Sequence, residues 1–165
     1  MRKLSTLLAV ALMVTLPIGN AVALDSAQDG KVDVLVALSL AETVELDFGA
    51  VADADGTVTL DLLDTIASDP SAIHQGGTVT SGIYTITGSA STLVDVDIAA
   101  SNANGLALAN FTTDAGAGTF PLVGVSTDGT GDLALALGAD LTVASGVAAP
   151  GSNQVLAFTI SVIYN

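Results

Sequence analysis

The chain has 165 residues, half of them hydrophobic, with no cysteine and no tryptophan, and 3 basic residues against 17 acidic ones, a formal charge of −14. So few cations exclude nucleic acid as a partner, because neutralising a phosphate backbone takes several of them, and they exclude anionic membrane surfaces for the same reason. The length fits one domain, and without cysteine that domain is held by its core and not by disulfides.

The first element is a leader. Arg2 and Lys3 precede an apolar run from Leu4 to Ile18, and Ala21-Val22-Ala23 puts small residues where a signal peptidase cuts. The run is shorter than the ~20 residues a spanning helix needs, and no cysteine follows it to carry a lipid. Residues 1–23 therefore read as a secretory signal peptide. The mature chain, 24–165, is expected to begin near Leu24 and to be secreted, at the cell surface or in the extracellular space, with no stable membrane insertion. Cleavage leaves Lys31 as the one cation against 17 acidic residues, a net charge of −16. Such an acidic coat keeps a protein soluble and makes its copies repel one another.

From there the apolar residues recur with period two, the spacing of strands buried on one face. "KVDVLVALSL", residues 31–40, places Val32, Val34, Val36, Leu38 and Leu40 on one face of a first strand. "TVELDFG" and "GTVTLDLLD" follow, then "GIYTITG" and "TLVDVDIAA", joined through Gly88-Ser89. "GLALANFTT", "GTFPLVGV" and "GDLALALGADLTVA" continue the series. Turn signals separate them at Asp55-Gly56, Gly76-Gly77, Asn104-Gly105, Asp128-Gly129 and Pro150-Gly151. Only "LLDTIASDPSAI", bounded by Pro70, has room for a short helical turn. The chain closes on "NQVLAFTISVIYN", where Leu156, Phe158, Ile160, Val162 and Tyr164 alternate with a mixed outer row. A strand of that quality ties the C-terminus into a sheet. Short strands at this spacing, with no long amphipathic helix, predict a single all-β domain, a sandwich or a barrel.

Catalysis has little to work with, and no enzyme is expected. His74 is the one histidine and reads as an exposed loop residue before Gly76-Gly77. No G-x-S-x-G nucleophile elbow is present. Asp95 and Asp97 share one strand face opposite Val94, Val96 and Ile98, which makes them a solvated acidic stripe. The candidate metal ligands are Asp53 and Asp55 in "DADGTVTLDLLD", whose spacing before a glycine resembles a calcium loop. Aligned on Gly56, that loop has Val51 and Leu62 where the first ligand and the bidentate acid belong, so a hairpin turned by Asp55-Gly56 is the stronger reading. The "STDGTGD" stretch around Asp128 and Asp132 reads the same way.

Three features carry a family resemblance. "VLVALSLAETVELDFG" runs an alternating strand into an L-x-F-G signature at Leu46, Phe48 and Gly49; "GIYTITG" is bounded by glycines; and the last strand has a penultimate aromatic, Tyr164. Together they resemble an uncharacterised family, a domain of unknown function, of small secreted bacterial pilin-like β-domains. The ending is similar to that of chaperone–usher fimbrial subunits, although the glycine they carry before the last strand falls one place early, at Gly151, with Ser152 in its place.

The resemblance implies an immunoglobulin-like, pilin-like antiparallel β-sandwich that serves as a structural subunit of a cell-surface or extracellular filament. Its partners would be copies of itself or related subunits, together with secretion or assembly machinery. Residues 31–40 would be the donor strand, added to a neighbour by backbone pairing with side-chain pockets setting the register. The implied interface comprises Val32, Val34, Val36, Leu38 and Leu40 with Phe158, Ile160, Val162 and Tyr164. The residues support this independently, since good edge strands near both ends of a chain are a hazard in a monomer and useful in a polymer. The alternative is a self-contained secreted adhesin or matrix domain, stabilised by Ca²⁺, that pairs its own N-terminal strand internally.

Overall fold

A computed structural model describes residues 31–165 apart from 117, 148–150, 152 and 153. The signal peptide expected over residues 1–23 lies outside the described residues, as do residues 24–30. Val34–Asn165 form one compact unit, and residues 31–33 fall outside it.

The fold is all-β, with antiparallel sheets packed into a sandwich. Its strands are β1 (Ser39–Val44), β2 (Ala50–Val51), β3 (Gly56–Leu60), β4 (Ile66–Ser68), β5 (His74–Gly76), β6 (Gly82–Thr87), β7 (Leu93–Ser101), β8 (Leu106–Thr113), β9 (Leu122–Ser126), β10 (Asp132–Val143) and β11 (Ala157–Tyr164). A six-stranded sheet runs β1-β6-β10-β3-β4, with β8 also paired to β10. A three-stranded sheet runs β11-β7-β9, and β2 pairs with β5. Among the described residues there is no helix, so the turn expected in "LLDTIASDPSAI" is instead β4 and its flanking bends.

The 12-residue β10 is the axis of the molecule. Its first half pairs with β6 from Asp132↔Thr87 to Leu137↔Gly82, and its second half lies between β3 and β8. Leu135, Leu137, Ala139, Leu141 and Val143 all face inward and are buried. The core therefore has two lobes strung along one strand. In the first lobe, Val58, Leu60, Leu108, Leu141 and Val143 pack with Leu46, Phe48 and Ile73 from the loops and the β2–β5 region. In the second, Tyr84, Ile86, Leu135 and Leu137 of the large sheet pack on Val94, Val96 and Leu122 of the small one.

Several expected strands hold their places: β3, β6, β7, β8, β9, β10 and β11 fall in the stretches whose alternation pointed to them. The first does not. Residues 31–38 are outside any strand and pairing begins at Ser39. The reason is the length of the partner. Ser39 pairs with Thr87, the last residue of β6, after which the chain leaves the sheet at Gly88. An alternating sequence reaching past the end of its partner has nothing to pair with.

Candidate functional site

The arm before β1 carries an exposed apolar row. Val32 is 82 %, Val34 86 %, Val36 59 % and Leu40 42 % exposed. Leu38 is the exception, half-buried against the second lobe. Val36 is held at both of its backbone groups. Its amide donates to the Ser89 hydroxyl at 2.7 Å and its carbonyl accepts from the Tyr164 hydroxyl at 2.5 Å. The same Tyr164 oxygen accepts the Ser89 amide at 2.7 Å. Three residues from distant parts of the chain thus close one cluster where the edge of the large sheet, just before β1, meets the end of β11. Gly88 leaves the space for it, since a Cβ there would stand 2.5 Å from the Tyr164 oxygen and 2.8 Å from a Leu38 methyl.

The C-terminal strand faces the way its alternation predicts. It pairs with β7 along its whole length, from Ala157↔Ser101 to Tyr164↔Val94. Phe158 packs against both lobes, edge-on to Tyr84 at 6.1 Å and tilted against Phe111 at 5.7 Å. Ile160, Val162 and Tyr164 pack on the second lobe. All four are half-buried and none is enclosed, because β11 is an edge strand with β7 as its one partner in the sheet. The arm and this half-covered row are the two halves of the interface that the sequence suggests, and Tyr164 connects them.

Asp53 and Asp55 do not turn a hairpin. Asp53 accepts the Gly146 amide at 2.9 Å and Asp55 the Ser145 amide at 2.8 Å, so the pair pins the loop before β3 to the turn after β10. The hairpin expected at Asp55-Gly56 is absent because β2 pairs with β5 and β3 with β10 and β4. Among the described residues no three His, Cys, Asp or Glu side chains are grouped to hold a metal ion.

The same use of carboxylates recurs throughout. Asp61 takes the Leu63 and Thr65 amides and the Thr65 hydroxyl. Asp64 takes the Ser81 amide and hydroxyl, and Asp128 the Thr130 amide and hydroxyl and the Asp132 amide. These hydrogen bonds hold three carboxyls below the usual range, led by the Thr65 hydroxyl at Asp61, the Ser81 amide at Asp64 and the Asp132 amide at Asp128. Asp95 is not merely solvated, since it accepts the Gly124 amide and the Asn165 side chain and so ties β9 and the C-terminus to β7. Asp97 is exposed and accepts the Ile98 amide. In the core, burial pushes the Tyr84 phenol up, and its hydroxyl donates to Glu42 at 3.0 Å.

His74 is not an exposed loop residue. It lies on β5, half-buried, with its amide donated to Asp69 and its Nε2 buried without a hydrogen-bond partner. Nε2 sits against Gly49, where a Cβ would be 3.2 Å from it and 2.6 Å from the Gly76 carbonyl. Gly49 also has φ of 69°, which explains the glycine of the L-x-F-G signature, while Leu46 and Phe48 fill the first lobe.

The Val36–Ser89–Tyr164 cluster leaves no mark in the sequence. The penultimate tyrosine reads there as one more tooth of an alternating row, and Gly88-Ser89 as a connection. Nothing in the local pattern marks the hydroxyls as partners of a backbone group far away in the chain. Comparison with known protein families, with curated proteins and with solved structures finds no match.

Proposed function

We propose that the protein is an exported structural subunit, joined to further copies of itself or to related subunits by β-strand addition into a cell-surface or extracellular filament. The observation that carries this reading is the arm: an apolar row at residues 32–36, exposed and outside any strand, beside an edge strand whose inward row is half-covered. Val32, Val34 and Val36 entering a neighbour's groove would contribute about 1.5–3 kcal/mol each. Ordering the backbone costs roughly 1–2 kcal/mol per residue, and main-chain pairing along the groove favours assembly.

The test is Val34→Asp, which places a charge in the row where the monomer has no contact to lose. Wild-type protein should form filaments visible by electron microscopy. The variant should keep the wild-type denaturation midpoint and stay monomeric on size-exclusion chromatography. Wild-type protein that elutes as a monomer at every concentration, with no filaments, would overturn the reading in favour of a self-contained secreted domain.

A further inference from the structure

The geometry points to Tyr164 as a latch on the N-terminal arm, which holds the arm's root against its own domain and must open before the whole row can be donated. This deepens the reading of the arm as a donor and rests on it for its consequence, although the latch itself is a property of the monomer.

Val36 is 59 % exposed and three residues short of the first strand, so its amide and carbonyl would ordinarily face water. Instead both are taken, one by the Ser89 hydroxyl and one by the Tyr164 hydroxyl, and Tyr164 also receives the Ser89 amide. A backbone amide already donated in this way has no proton left for a neighbouring copy, and the Tyr164 hydroxyl occupies one of the two lone pairs of the carbonyl. With the latch closed, the row splits. Val32 and Val34 are free, while Val36 and the half-buried Leu38 are held at home. With it open, the row from Val32 to Leu38 becomes one continuous segment. The latch is side-chain-made at both contacts, so it opens without loss of any sheet pairing: β1 stays on β6 from Ser39, and β11 stays on β7.

Tyr164→Phe removes the hydroxyl and keeps the ring on the second lobe. Gly88→Ala opens the latch from the other side, because the added methyl would stand 2.5 Å from the Tyr164 oxygen. Amide hydrogen exchange, read residue by residue under monomeric conditions, is the measurement. Both variants should raise exchange at Ser89, whose amide loses its Tyr164 acceptor, by about tenfold or more, the loss of one hydrogen bond's protection. They should also raise it at Val36 as the released root loosens from the Ser89 hydroxyl, while β6 and β10 amides keep their wild-type rates. Ser89→Ala should raise it at Val36. Under assembling conditions, Tyr164→Phe should form filaments faster than wild type. Wild-type exchange at Val36 in both Tyr164→Phe and Gly88→Ala would overturn the latch, and so would faster exchange with an unchanged assembly rate. Faster exchange with no filaments from either wild type or variant would leave the latch standing and remove the filament reading.

Discussion

An aspartate in this chain has almost no cation to pair with, since Lys31 is the one basic residue after Lys3. The side chains turn to backbone amides and hydroxyls instead, and each local cluster closes a turn or bolts one loop to another. Such charge-assisted bonds are stronger than neutral ones, and they make the turns sensitive to acid. At Asp61, Asp64 and Asp128 the folded carboxyl titrates below its ordinary value of 3.8. A lowered folded pKa contributes stability above the unfolded value, and that contribution disappears as pH falls through the folded one. Asp128→Ala should therefore lower the thermal midpoint at pH 7, with the gap to wild type closing below about pH 4. Thermal scans across pH check this, and a gap that stays constant down to pH 2 would contradict it. The acidic spacing in "DADG" was legible in the sequence. Its use was not, because the Ser145 and Gly146 amides come from the far end of β10.

Among the elements, β10 decides the architecture and β11 closes it. Gly138 lies where β10 is flanked by β3 and β8, and a Cβ there would be 2.6 Å from the Leu60 carbonyl and 2.9 Å from the Thr112 hydroxyl. Gly138→Ala should cost about 1–3 kcal/mol, as overpacking does, measured by chemical denaturation. At β11 the expected asymmetry is between its faces. Phe158→Ala should cost about 3 kcal/mol, the low end for truncating a core aromatic, because the ring touches both lobes but is only half-buried. Ile163, on the outer row and 62 % exposed, should tolerate alanine within about 0.5 kcal/mol. Equal losses at the two positions would mean that the inward row does not pack as described. Alternation alone makes β10 and β11 look like equals. Only the pairing reveals that one is flanked on both sides and the other on one.

Across the whole molecule, self-repulsion governs the electrostatics. With a formal charge of −14, the folded state holds its carboxylates closer together than the unfolded chain does. Raising salt from about 0.01 M to 0.1 M shortens the screening length from about 30 Å to about 10 Å. The melting temperature should rise over that range, and further additions should act in the same direction. A protein held by surface ion pairs would respond the other way. A melting temperature that falls with salt would show that specific charge contacts outweigh the general repulsion. For the filament proposed above, the same screening should strengthen assembly, since it would bring identical acidic copies together.

Period-two alternation is a property of a strand's own residues, and it is enough to settle the class of the fold and the faces that β7 and β11 turn inward. The L-x-F-G signature was legible too, though not its reason, which lies in Gly49 approaching His74 and the Gly76 carbonyl. Where strands end, and which of them are edges, depends on partners that the local pattern does not name. "KVDVLVALSL" has the pattern of a strand from its first valine, yet β1 begins at Ser39 because β6 runs out at Thr87. Pattern reports which side a residue prefers, whereas pairing needs a partner of matching length. That length is set elsewhere in the chain, as is the tyrosine that holds the unpaired remainder in place.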